Sequence, residues 1–399
     1  MEDVLKYLTW EITEKGARIT GCAKSFKGAM EIPSFLDGIA VVEIGEEAFW
    51  KCKSLVSVVV PDSVEVVGKN AFVECDDLEE LRLGSGIKKI EEYAFCYCYS
   101  LKSVVIPDSV EAIGDLAFAV CAGLEELRLG AGVKRIESCA FWECSSLKSV
   151  VIPDTVEAIG ACAFFECDGL EELRLGAGIK KIKKDAFGSC KSLKSVVIPD
   201  SVETLGEDAF MYCKGLEELR LGAGIKKIEK YAFRKCVSLK SVVIPDSVEV
   251  VGEGAFWKCV KLEELRLGEG IKEIERGAFC WCSSLKSVVI PDTVEAIGEF
   301  AFQWCVGLEE LRLREGVKRI EKDAFKGCVS LKSAVIPDSV EALCEDAFRE
   351  CVGLEELRLG SGLKTIAENA FEPQATLVVD AGAYAEKWCV ENNRHYKVR

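Results

Sequence analysis

The sequence predicts a repeat solenoid, and three observations carry the prediction. An Ala-Phe pair recurs every 23 residues from Ala48-Phe49 to Ala370-Phe371 without a slip. A Cys stands three residues after every one of those phenylalanines but the last. Short apolar runs keep fixed offsets from both. A strict period of this length means that each copy is one coil, unable to bury its apolar side except by stacking on its neighbours. The unbroken clock overrides the two or three globular domains that 399 residues would otherwise suggest, and points to one elongated domain.

Each position of the coil has a physical reason. One version reads Leu101-Lys102-Ser103-Val104-Val105-Ile106-Pro107-Asp108-Ser109-Val110-Glu111-Ala112-Ile113-Gly114, and the next reads Leu124-Glu125-Glu126-Leu127-Arg128-Leu129-Gly130-Ala131-Gly132-Val133-Lys134-Arg135-Ile136. The two versions alternate, so the sequence unit is a pair of coils, 46 residues. In both, positions 1, 4 and 6 turn inward around a short strand, and the following Val and Ile positions close the coil on its other side. Pro107-Asp108 and Gly130-Ala131-Gly132 make the turns, through the fixed φ of Pro and the permissiveness of Gly. Ala117-Phe118 plugs the far wall. The result expected is a curved right-handed coil with one long parallel β-sheet, and short strands, turns or short helical segments on its other face.

Stacking sets Lys102 in register with Glu125 and then Lys148, and Glu111 in register with Lys134. Opposite charges therefore alternate along the stack. An exposed pair is worth only about 0.2–1 kcal/mol, but a slip of one coil would bring like charges together, so the rows act as register control. The ends differ, as a solenoid requires. Residues 1–44 are expected to form an N-terminal β cap with two hairpins, Thr9–Thr20 around Glu14-Lys15-Gly16 and Met30–Ile44 around Asp37-Gly38. Residues 45–371 hold the repeats. Residues 372–399 form a C-terminal cap whose expected helix, Ala381–Glu391, offers Tyr384, Trp388 and Val390 to lid the last coil.

Composition limits the function. Hydrophobic residues make up 49% and charged ones 30% of the chain, enough for a continuous core under a solvated skin. A net charge of -16 argues against nucleic acid, which needs concentrated Lys and Arg. No run approaches the roughly 18 apolar residues of a membrane span. The start, Met1-Glu2-Asp3-Val4-Leu5-Lys6, lacks the basic residues and apolar run of a secretory signal, which places a full-length chain in the cytoplasm.

Of the 21 cysteines, fourteen form the ladder from Cys52 to Cys351. Neighbouring rungs lie about 4.8 Å apart, wider than the roughly 3.8 Å between Cβ atoms that a disulfide wants, so small buried thiols are expected. A row without histidines cannot converge four ligands on zinc. The odd total and the off-ladder Cys22, Cys96, Cys139, Cys162, Cys280, Cys344 and Cys389 point to a reducing or anoxic setting. Asp108, Asp154, Asp200, Asp246, Asp292 and Asp338 stand two coils apart, about 10 Å, too far to share a calcium ion, and are expected as turn residues. The one histidine, His395, lies next to the C-terminus, and no nucleophile and base can be paired elsewhere. Neither catalysis nor a cofactor is expected.

At Ile106-Pro107-Asp108-Ser109-Val110, followed by Ile113-Gly114, Ala117-Phe118 and Cys121, the pattern resembles the BspA-like (treponemal-type) leucine-rich repeats. The resemblance covers nearly the whole chain, including the cap at Gly382-Ala383-Tyr384-Ala385-Glu386. It implies a leucine-rich-repeat coil and, for a chain trimmed from a longer protein, display on a bacterial or protist cell surface. There, adhesion to host matrix or cell-surface proteins would be the task. The near identity of the units suggests recent duplication or deliberate design.

One feature of the repeats is not constant. The two positions after each Phe vary freely, and five of the seven tryptophans lie there. Large aromatics on an exposed edge are what binding patches concentrate. The candidate contact residues are therefore Trp50, Tyr97, Trp142, Phe165, Tyr212, Trp257, Trp281 and Trp304, with Tyr93, Tyr231 and Phe300 varying just before the Ala-Phe pair. The partner expected is a protein. The strand face, with its regular Val and Arg rows, is a second candidate surface. The competing expectation is a structural or scaffold role, natural or designed, with no specific ligand.

Overall fold

The computed structural model describes residues 4–399, which fall into two compact units that divide between Ser201 and Val202. Each unit is a parallel β-solenoid, and every coil in it has three walls. The first wall is a three-residue strand such as Ser103–Val105 or Glu126–Arg128, with Ser103 paired to Glu126 and Val105 to Arg128. The second is a two-residue strand such as Ala112–Ile113, bonded in parallel to Lys89–Ile90 and Arg135–Ile136. Both ladders recur in the second unit, where Ser241 pairs with Glu264 and Val250 with Glu273. The third wall carries the Ala-Phe pair and is built of turns, without helix.

The interior follows the expected positions. Leu101, Val104, Ile106, Val110, Ile113, Ala117, Phe118 and Cys121 are all buried. The phenylalanine rings form stacked columns. From Phe49 to Phe187 successive centroids lie 4.6–5.4 Å apart, and from Phe210 to Phe348 they lie 5.1–5.6 Å apart, with rings within 14° of parallel. Offset stacking adds about 0.5–1.5 kcal/mol per pair to simple burial.

The cysteine ladder has a further role beyond filling space. Beyond the first rung, Cys52, the thiols donate to the carbonyl of the Phe one coil back, as Cys75 Sγ does to Phe49 O at 3.2 Å and Cys259 Sγ to Phe233 O at 3.3 Å. All 21 cysteines are free thiols. Burial raises the Cys259 thiol to about 12.

The alternation of coil types also has a steric cause. A Cβ on Gly132 would stand 1.9 Å from the carbonyl oxygen of Asp108, so a glycine turn must follow each Pro-Asp turn. The aspartates prove to be inter-coil acceptors. Asp108 Oδ1 accepts from Ala131 N at 2.7 Å, and Asp62, Asp154, Asp246 and Asp338 do the same. The bond from the Ser85 amide holds the Asp62 carboxyl below its ordinary value. The charge rows stand in the expected register, with Lys134 Nζ 3.4 Å from Glu111 and Lys272 Nζ 2.7 Å from Glu249.

The caps depart from expectation in detail. Leu8–Thr13 and Gly16–Cys22 form the first hairpin. The second is only the pair Phe35–Leu36 with Ile39–Ala40 around Asp37-Gly38, because Met30 lies in a strand, Gly28–Glu31, that pairs in parallel with Leu55–Val59. The C-terminal helix runs Tyr384–Glu391 and begins three residues later than expected. Trp388 meets Phe371 edge to face at 5.6 Å, but Tyr384 and Val390 face solvent, so Trp388, Ala385 and Cys389 make the lid. A strand absent from the sequence expectation, Tyr396–Val398, then adds to Thr376–Val379. Among the described residues no helix is long and apolar enough to cross a membrane.

Replacing Phe164 with Ala removes a ring stacked on both neighbours, 5.1 and 5.3 Å away. The expected loss is about 3–5 kcal/mol of unfolding free energy in a urea titration. A loss below about 1 kcal/mol would show that the column is not a packed core.

Candidate interaction groove

The outer side of the Ala-Phe wall is a line of unusual backbone. From Phe49 to Phe348, the residue two before each repeat Phe and the residue two after it adopt left-handed φ, as in Tyr231 (58°), Lys258 (60°), Trp281 (64°) and Trp304 (59°). Left-handed backbone costs an L residue roughly 1–2 kcal/mol. It persists here because the freed amides bond to the next coil: Lys258 N to Cys280 O at 2.8 Å, Trp281 N to Gln303 O at 2.8 Å, and Trp304 N to Lys326 O at 2.7 Å. Each such bond returns about 1 kcal/mol, so strain and bonding nearly balance. A rigid edge results, from which variable side chains project. The sequence carries a trace of it, since Asn70, Asp185, Asp208, Gly254, Gly277, Asp323 and Asp346 occupy the position two before Phe, and these residue types tolerate left-handed φ best.

In the first unit the expected contact residues are spread out and partly absorbed by packing. Trp50 is exposed, with Lys51 Nζ 4.4 Å and Lys24 Nζ 5.8 Å from its ring centre. Tyr97 and Trp142 pack on a buried cluster of Val73, Cys96 and Ala119. Phe165 leans across Gly188, where a Cβ would come within 2.8 Å of the ring. Beside these rings, burial first and then hydrogen bonding to Glu166 raise the Glu143 carboxyl above its ordinary value.

In the second unit Tyr212, Trp257, Trp281 and Trp304 lie on successive or next-but-one coils and form one surface with Tyr231 and Phe300. A groove of about 380 Å³ opens between them, lined by Tyr231, Arg234, Trp257, Arg276, Trp281 and Phe300. Glycines make the room. The Tyr231 ring lies over Gly254, where a Cβ would stand 2.3 Å from it, and Gly277 leaves the next coil open. The Tyr231 hydroxyl donates to Glu253 Oε1 at 2.9 Å, and Lys230 holds the other carboxylate oxygen at 2.7 Å. Trp281 and Trp304 stack at 5.5 Å, and Trp304 rests on Gly327.

Cations cover these rings. Arg234 lies 4.7 Å from the Trp257 centre, 5.0 Å from Tyr231 and 5.6 Å from Tyr212. Lys258 is 4.6 Å from Trp257, Arg276 is 4.8 Å from Phe300, and Lys235 donates to the Tyr212 hydroxyl at 3.1 Å, which lowers that phenol's pKa. Arg276 is paired with Glu299 at 3.3 Å. Among the described residues Arg234, Lys235 and Lys258 have no carboxylate partner within salt-bridge distance, and Arg234 Nε is buried without a hydrogen bond. Three uncompensated charges stand out on a chain of net charge -16. They were not among the expected contact residues. Their signal is Arg234-Lys235 and Trp257-Lys258 at the same two variable positions of adjacent coils.

The BspA type leucine-rich repeat region, a pattern of six copies, matches the chain three times, over residues 22–148, 134–263 and 250–378. A leucine-rich repeat protein from Bacteroides ovatus is similar across all of both chains, with 26% identity and a TM-score of 0.76. A leucine-rich cell surface protein from Faecalibacterium prausnitzii, 26% identical, aligns over 88% of this chain and 93% of its own with a TM-score of 0.47. A leucine-rich repeat protein of T. pallidum, 32% identical, aligns over 53% of this chain and 100% of its own with a TM-score of 0.46. No curated protein sequence matches the chain significantly.

The groove wall makes a pH-dependent contribution. The bond from Lys230, and then that from Tyr231, hold Glu253 below its ordinary value of 4.5. A depressed carboxylate stabilises the fold above the unfolded pKa and ceases to do so as pH falls through the folded one. Glu253→Gln should therefore melt below wild type at neutral pH, with the gap closing under pH 4.5. A gap that stays constant with pH would assign the effect to packing.

Proposed function

Because the chain belongs to the BspA-type leucine-rich repeat family, we propose that it is a non-enzymatic protein-binding module of the adhesive kind, which grips a protein partner through the exposed variable side chains of the coil edge. The family and fold support a protein-interaction role in general. The observation that carries the finer reading is the aromatic groove at Trp257 and Trp281 with Arg234, Lys235 and Lys258 uncompensated around it. Cations held over aromatic faces without a carboxylate keep their charge open to an outside partner, and Trp, Tyr and Arg are the residues that dominate protein contacts. The cations also narrow the partner. Arg234, Lys235 and Lys258 crowd the Trp257 ring at 4.7, 5.6 and 4.6 Å from its centre, which disfavours stacking of a neutral sugar and favours a protein surface bearing carboxylates.

A scaffold role has its own supporting observation. Phe165, Tyr231 and Trp304 each lie over a glycine of the next coil, as side chains recruited for coil packing would.

One set of variants separates the two. Trp257, Trp281 and Trp304 replaced together by Ser should abolish capture of immobilised extracellular-matrix proteins and attachment to host cells, with the melting curve little changed. Unaltered binding, or a large drop in melting temperature without a specific binding defect, would favour the scaffold role.

A further inference from the structure

The edges of the two units carry opposite charge in the same format. In the first unit, Trp142-Glu143 and Phe165-Glu166 occupy the two positions after Phe on adjacent coils; in the second, Arg234-Lys235 and Trp257-Lys258 occupy those same positions on adjacent coils. All of these side chains are half-buried, so each presents part of its surface outward. We propose that the chain self-associates, with the Glu143 and Glu166 edge of one copy seated on the Arg234, Lys235 and Lys258 edge of another.

Geometry and charge support this occupant. Glu143, Glu166, Lys235 and Lys258 all hold left-handed backbone, with φ between 56° and 60°, and all are locked by an amide bond to the next coil. Their side chains therefore leave the wall in equivalent directions. The spacing along both edges is one coil, about 4.8 Å, so two carboxylates can meet two ammonium groups coil by coil.

Neither edge is satisfied within its own unit. Among the described residues Glu143 and Glu166 have no cation within salt-bridge distance, and they crowd each other. The cations across the contact lack carboxylates, and Arg234 leaves a buried Nε unpartnered. Bringing the edges together relieves repulsion on both and buries Trp142 and Phe165 against Arg234 and Trp257. A contact between different patches of identical chains closes into a ring or runs on as a filament.

The proposal rests on the edge being a contact surface, and its test uses the purified chain alone. Sedimentation equilibrium at low salt should give a mass that is a multiple of 43.7 kDa, falling towards the monomer in high salt. Glu143→Lys with Glu166→Lys should weaken association at least roughly tenfold, as should Arg234→Glu with Lys258→Glu. Mixing the two double variants should restore it, because each supplies the intact edge the other lacks. The milder pair Glu143→Gln and Glu166→Gln guards against misfolding and should weaken association in the same direction.

A wild-type chain that stays monomeric at every salt and concentration would overturn the proposal. So would reversed variants that associate like wild type, or a mixture that shows no restoration. The Glu143→Lys, Glu166→Lys chain keeps its aromatic groove. Loss of matrix-protein binding by the Trp variants, with retention by this one, would uphold the groove even if self-association failed.

Discussion

Every coil must offer its backbone N–H and C=O groups to its neighbours at a single spacing on all three walls. Buried backbone groups left unpaired would cost more than a coil can recover, so coil length cannot vary. This explains why the 23-residue clock never slips while the residues it carries do. On two walls the demand is met by short parallel strands. On the third it is met by turns whose amides reach across, as Phe49 N does to Ala71 O at 2.7 Å and Phe233 N to Ala255 O at 2.8 Å. Phenylalanine and cysteine are selected at that wall because one fills the column behind the turns and the other gives the Phe carbonyl a second donor.

The same close approach produces the alternation of coil types. With Asp108 beneath Gly132 there is no space for a side chain, and the Asp carboxylate caps the turn above it. Chemistry that resembles a calcium or zinc pattern in the sequence is thus absorbed by the stack, aspartate by aspartate and thiol by thiol. What the stack uses only in part is the row of side chains outside the Ala-Phe wall, and there the repeats diverge.

Much of the fold is legible in the residues because translation along a solenoid converts period directly into contact. Lys134 faces Glu111 for the same reason that Phe141 stacks on Phe118. The caps are less legible, since they lack a repeat. Met30 joins the parallel sheet instead of a hairpin, and Val390 turns to solvent where an amphipathic pattern suggests a lid.

The groove is half legible. Its tryptophans stand out by type, but Arg234 and Lys258 become meaningful only once the stacking of adjacent coils sets them over the same ring. Tyr231 likewise depends on Gly254, a residue with no apparent partner in the sequence. Sequence spacing tells which coil a side chain occupies, whereas the direction in which it leaves the coil depends on a conformation that most residue types conceal.

That locked edge is the central claim, and native-state hydrogen exchange tests it most directly. The amides of Phe164, Phe233, Lys258 and Trp281 should exchange as slowly as those of strand residues such as Val150 and Val242, because each bonds to the next coil. Exchange at those turn amides as fast as in an unstructured loop would contradict the account, since the edge would then be free to move and its side chains would define no surface.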